Sequence, residues 1–137
     1  MSALVTKWFP SGFRLINGLT LSNWFNKPQV STEDKITAHA GGTMAAAYKL
    51  NAAISRISIC ATNGDSVSLP PSASWVGGQM VVINDGAANL DVYPGNATDN
   101  IDAAGVNTAV VITTPKRAVF FCSSLGIISS LEGAKAV

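Results

Sequence analysis

From about residue 43 onward, apolar residues gather in short runs separated by clusters of Gly, Pro, Asn, Asp and Ser. The runs at 44–50, 54–61, 66–69, 79–84, 88–93, 107–113, 117–123 and 126–131 are predicted strands. Between them lie "TNGD", "PPSASWVGG", "NDGAA", "PGNATDNIDAAG", "TPK" and "SLG". Each is turn chemistry: Gly supplies positive φ, Pro fixes φ, and Asn and Asp bond the local backbone. Strands this short, spaced about 8–12 residues apart, predict an all-β fold, an antiparallel β-sandwich or jelly-roll-like domain. "QMVVI" and "TAVVI" lack clean alternation. Strands of that kind are expected to be covered on both faces, by the second sheet and by a neighbour.

Before residue 43 the pattern differs. Residues 1–30 hold five of the ten aromatics, Trp8, Phe9, Phe13, Trp24 and Phe25, among Pro10, Gly12, Gly18 and Pro28. Periodicity is weak there, except that Leu21, Trp24 and Phe25 stand at i, i+3 and i+4, the spacing of one helical face. The expectation is an extended N-terminal arm with one short helix, capped by Thr20 or Asn17 and ending before Pro28. "STEDKITAHAGGT" (31–43) reads as a polar, Gly-ended linker. The chain therefore divides into an arm and linker over 1–42 and a β domain over 43–137. Burying a large apolar side chain is worth about 1.5–3 kcal/mol, so five aromatics left in water would be a large sacrifice. They either fold back on their own domain or dock on another surface. An arm broken by Pro and Gly packs poorly as a core of its own, which favours docking. Trp8, Phe9, Phe13, Leu15, Leu21, Trp24 and Phe25 are the candidate partner-binding residues.

Composition narrows the partners. The 137 residues suit one domain. Only 12% are charged and the net charge is +1, so no basic field attracts nucleic acid or anionic lipid. A nearly neutral surface with few charges tends to self-associate. No run approaches the ~20 apolar residues of a membrane helix. The opening "MSALVTKWFPSGF" lacks the apolar core of a secretory signal, so synthesis in a cytoplasm is expected. Asn96-Ala97-Thr98 is then a glycosylation triplet in form only.

Candidate chemistry is sparse. Cys60 and Cys122 sit in apolar runs and read as two buried thiols, with a bridge between neighbouring strands as the alternative. With no further Cys and one His, no zinc ligand set exists. His39 lies among small residues with no nucleophile beside it, and no G-x-S-x-G elbow surrounds any Ser. Most of the acids fall at turns. "DNID" (99–102) lacks the oxygen ligands of a calcium loop. "HAGGT" and "WVGGQ" fit no phosphate-binding pattern. Trp75, in the long loop "PPSASWVGG", is a possible loop contact for a sugar; the alternative is a plug at the end of the β domain. The expectation is a binding protein rather than an enzyme, with neither cofactor nor metal.

Four framework motifs carry a resemblance: Asp65–Pro70 as D-S-V-x-L-P, Val82–Pro94 as a V-x-N-x-G-A-x-x-x-x-V-x-P hairpin, Asp99–Asp102 as a D-x-I-(D/N) turn, and Lys116–Cys122 as a K-x-A-x-F-x-C-like last strand in which Arg117 deviates. Together they resemble a module of structural proteins of tailed bacteriophages. "FRLINGLTLSNWF" and "TAHAGGTMAAAYKLNAAISRI" resemble the segments that precede it. The resemblance implies a virion component: a capsid decoration (cement) protein, a head fibre, or a tail-associated part. The implied partners are the major capsid protein and further copies of itself, commonly as a homotrimer; the implied place is the capsid surface. It implies no catalytic residue. The alternatives are a tail, baseplate or fibre-associated protein and a carbohydrate-binding module that uses Trp75 and the loops at 70–79 and 94–106.

Overall fold

The computed structural model describes residues 30–132. They are almost entirely β, as the turn spacing predicted. The strands are β1 (Thr32–Thr37), β2 (Tyr48–Lys49), β3 (Ile54–Ile59), β4 (Asp65–Ser68), β5 (Gln79–Asn84), β6 (Leu90–Tyr93), β7 (Asn100–Ile101), β8 (Val110–Ile112), β9 (Arg117–Ser124) and β10 (Ile127–Glu132). A 3-10 turn at Ser72–Ser74 is the only helical element among the described residues.

Two sheets face each other, a six-stranded one in the order β1-β3-β5-β9-β10-β7 and a four-stranded one in the order β2-β4-β6-β8. From β1 to β6 the chain changes sheet at every step. In the larger sheet Thr32 pairs with Ile54 and Ile54 with Val81. In the smaller, Tyr48 pairs with Val67 and Val67 with Val92. All four of these strand pairs are parallel. A parallel pair needs a crossover, and here each crossover is a strand of the opposite sheet. The chain thus winds as a short, flattened β-solenoid, each coil resting on the one before. Antiparallel β8 and β9 then close the winding against β6 and β5, and β10 returns along β9.

Three expectations are corrected by this topology. The all-β class holds, but the sheets are mixed, with five neighbouring strand pairs parallel and three antiparallel. Turn spacing sets where strands stop; it does not set which sheet the next one joins. Val82–Pro94, expected as a hairpin, is an arch from β5 in one sheet to β6 in the other. Its corner is drawn inward because Asn84 is fully buried and Gly86 lies against Cys60. The polar stretch 31–43, expected as linker, supplies β1 and a bridge between His39 and Ser66.

The core lies between the sheets. Ile57, Val82, Phe120 and Ile128 project from the larger sheet; Val67, Leu90, Val92 and Ile112 project from the smaller. Ile101 of β7 adds to the larger sheet's side, and Leu50, Leu69 and Cys60, just outside the strands, complete the core. β1 is the outermost strand of the larger sheet and is defended as edge strands must be. Its register slips between Glu33 and Ile36, with Lys35 at φ 59, and only Ile36 of its side chains is buried.

Candidate interaction surfaces

The seven arm residues Trp8, Phe9, Phe13, Leu15, Leu21, Trp24 and Phe25, and the short helix expected over 21–25, lie outside the described residues. Trp75 lies within them. It is half-buried against the core, and its indole N–H donates to the Pro70 carbonyl at 3.0 Å. It lines a cleft of about 310 Å³ with Asn51, Ala53, Pro70 and Gln79. The hydrogen bond makes Trp75 a fastener of its own loop, which is the plug reading; its place on the cleft keeps the ring available to a ligand.

The polar residues of the framework motifs are structural fasteners. Asp65 is buried, and its carboxylate accepts from the Ala61 N–H at 2.7 Å, the Thr62 N–H at 3.0 Å and the Thr62 hydroxyl at 2.7 Å. The Thr62 backbone and hydroxyl donors hold its pKa below the ordinary value. Asn84 donates to the carbonyls of Ala88 and Ile112 at 2.9 and 3.0 Å and accepts from the Gly86 N–H at 3.1 Å. Asp99 is buried and accepts from the Ser72 N–H and hydroxyl at 2.8 and 2.7 Å, while the same hydroxyl oxygen accepts from the Gly126 N–H at 2.9 Å. One carboxylate thus ties the 3-10 turn, the loop before β7 and the β9–β10 hairpin together. Asp102 accepts from the Ser130 N–H at 2.7 Å. These acids are already occupied by donors of the chain itself.

No reactive constellation forms among the described residues, and no group of acids, His and Cys there could hold a metal ion. His39 is exposed, held by backbone bonds to Ser66 at 3.0 and 2.8 Å. Cys60 and Cys122 are both free and buried, which settles the open question of a bridge. Burial pushes both thiols up from their ordinary pKa, so neither is a nucleophile at neutral pH.

The structure adds a surface that periodicity did not single out. On the outer face of the larger sheet, Ile54, Val81, Val119 and Leu131 stand in register across β3, β5, β9 and β10. Ile83 and Phe121 flank this row, and Ile127 shares the face. Phe121 is 40% exposed, Ile127 56% and Leu131 63%. The missing alternation of "QMVVI" was the signal for this face. Met80 and Val82 are buried against the second sheet, while Val81 and Ile83 are half-exposed, with no second layer over them among the described residues. The outer face of the smaller sheet contrasts with it. There Ser66 is fully buried and donates its hydroxyl to the Gly41 carbonyl at 2.9 Å, and Gly42 lies against Tyr93 and Asp91.

No family model, curated protein or solved structure matches the chain.

Proposed function

We propose that this chain is a structural protein of a tailed-bacteriophage virion, a capsid decoration (cement) protein that stabilises the head by binding the major capsid protein as an oligomer. The observation that carries the proposal is the division of labour among its residues. The motif residues Asp65, Asn84, Gly86, Asp99 and Cys122 all serve the framework, while apolar side chains remain open on a sheet face. That is the equipment of a molecule that adheres. The aromatic arm is the candidate anchor, and apolar area buried between shell subunits is the candidate source of cohesion. By layers the β domain is a sandwich; by strand direction it is a wound coil, and winding gives a short chain a stiff block to present.

The test is location. A tagged copy of the chain, produced during infection, is imaged on purified particles by electron microscopy. Many copies spread over the shell support decoration. A few copies at one vertex favour the tail or baseplate reading instead, and label absent from the particle overturns both. Removing residues 1–30 is expected to abolish shell binding while leaving a soluble β domain; full occupancy without them rules out the arm as anchor. The cleft beside Trp75 favours a second reading, a carbohydrate-binding module. Glycan binding that is lost in Trp75→Ala would support it.

A further inference from the structure

We infer that the outer face of the six-stranded sheet is where a second copy of this chain binds. The inference deepens the oligomer part of the reading above and rests on that part alone, since it concerns the purified chain with no virion present.

The face is continuous across four strands and mostly apolar at its centre. Its central row, Ile54, Val81, Val119 and Leu131, crosses four hydrogen-bonded strands, with Phe121 on one side and Ile83 on the other. All four of these strands carry β-branched residues on this face, the side chains that fill the space between stacked sheets about 10 Å apart. With large apolar side chains at about 150–200 Å² apiece, the observed exposures leave roughly 400 Å² of apolar surface in water. A stable interface buries about 800 Å² on each partner, of which about 56–65% is apolar. The patch therefore supplies most of the apolar area that one side of such an interface needs, and it matches the largest patch a typical monomer exposes, about 300–600 Å².

The choice of a second copy follows from the charges at the rim. Arg56 is neutralised within its own chain, by Asp34 at 2.9 Å and Asp85 at 2.5 Å. Lys116 is paired with Glu132 at 3.1 Å. Gln79, Ser123 and Ser129 complete a polar rim, and Arg117, opposite Ile83, forms no ion pair among the described residues. A partner recognised by charge would need a cluster of one sign beside the patch; the single Arg117 is not such a cluster, and the apolar centre that fills most of the face is complementary to itself. The edge of the sheet is a poor alternative. β1 carries Glu33 pointing inward to the Tyr48 hydroxyl, a slipped register and a charged Asp34-Lys35 pair, all of which oppose strand addition.

The test uses the full chain in solution. Its mass is measured by analytical ultracentrifugation from micromolar to sub-millimolar concentration, alongside the double variant Phe121→Glu/Leu131→Glu and the single variant Leu131→Ser. The native chain is expected to associate. The double variant is expected to sediment as one chain with an unchanged far-ultraviolet dichroism spectrum, and Leu131→Ser to weaken association about tenfold or more, because hot-spot truncation costs at least that much. If the double variant is unfolded, Leu131→Ser decides alone, since Leu131 is 63% exposed and carries little of the core. A native chain that is monomeric throughout overturns the inference. So does an oligomer whose mass neither variant changes, which would place self-association elsewhere. Failure to decorate capsids would leave this result intact.

Discussion

Gly86→Ala tests the arch directly. Gly86 sits where the chain leaves β5 and turns across to the other sheet. A Cβ built there falls on the Cys60 side chain, 2.5 Å from the Cys60 nitrogen and 2.9 Å from its Cα. Carbon atoms pack at about 3.5–4.0 Å, so the two segments would have to part by roughly 1 Å. Backbone cannot swing aside as a flexible side chain can. The same corner holds hydrogen bonds from the Ala87 and Ala88 N–H groups to the Cys60 carbonyl at 2.9 and 3.0 Å, from the Gly86 N–H to Asn84, and from the Thr114 hydroxyl to the Gly86 carbonyl at 2.5 Å. Overpacking costs about 1–3 kcal/mol, and each weakened hydrogen bond adds about 0.5–1.5 kcal/mol. The expected loss is about 3–5 kcal/mol, a large part of the 5–15 kcal/mol typical of a domain. Equilibrium urea unfolding reads it as a midpoint lowered by roughly 2 M, for a slope of about 1–3 kcal/mol per molar. Gly41→Ala is the control: its φ is +88 and nothing lies within 4 Å of the added carbon, so only the left-handed backbone cost of about 1–2 kcal/mol applies. A Gly86→Ala midpoint within error of the native one, or a loss no greater than that of Gly41→Ala, would refute the close approach of the arch to Cys60.

Asn84→Ala removes a fully buried amide and leaves the Ala88 and Ile112 carbonyls without their donor; a loss of about 2–4 kcal/mol is expected, checked by urea unfolding. Asp65 gives a pH signature. Its folded pKa is depressed below the ordinary 3.8, first by the Thr62 N–H, so its contribution is complete above the unfolded value and is lost as pH falls through the folded one. The stability gap between the native chain and Asp65→Asn, followed by thermal melts down the acid range, should therefore close below pH 3.8; a gap that stays constant there contradicts the assignment. Buried Cys60 and Cys122, with pKa values pushed up by burial, should react with a thiol reagent on the order of 10²-fold slower than in the urea-unfolded chain, since access requires opening. Immediate labelling of either in native buffer would contradict their burial.

Local chemistry was legible where it acts locally. The strands of the β domain fall close to the apolar runs, and β5 coincides with the run at 79–84. Two strands escaped. β1 reads "TEDKIT", and a segment with one buried side chain carries no alternation to detect. β7 is two residues long. Strand direction escaped as well, because it is decided by contacts between residues far apart in sequence. Asn84 illustrates this: in sequence it begins a turn, yet its donors reach Ala88 nearby and Ile112 on another strand. Gly86 was expected to serve positive φ, but its requirement is space beside Cys60. Among the candidate site residues, Trp75 was placed in the right loop, whereas the apolar outer face was visible only as a missing alternation at 79–83.

The scarcity of charge takes on a definite meaning once the fastening charges are located. Asp34, Asp85 and Arg56 satisfy one another on the outer face, and Lys116 satisfies Glu132. Asp65, Asp99 and Asp102 are engaged by backbone and hydroxyl donors of the loops they fasten. These groups act as internal ties in a wound β block, while Lys35, Lys49 and Arg117 are exposed and form no ion pair among the described residues. Long-range steering and phosphate recognition both need clustered unpaired charge of one sign, and the paired groups supply none. What the described surface does offer in quantity is apolar area on one broad sheet face. An association built on that area would be short-ranged and weakly dependent on salt, properties suited to a component that must stay attached to an assembly while the ionic conditions around it change.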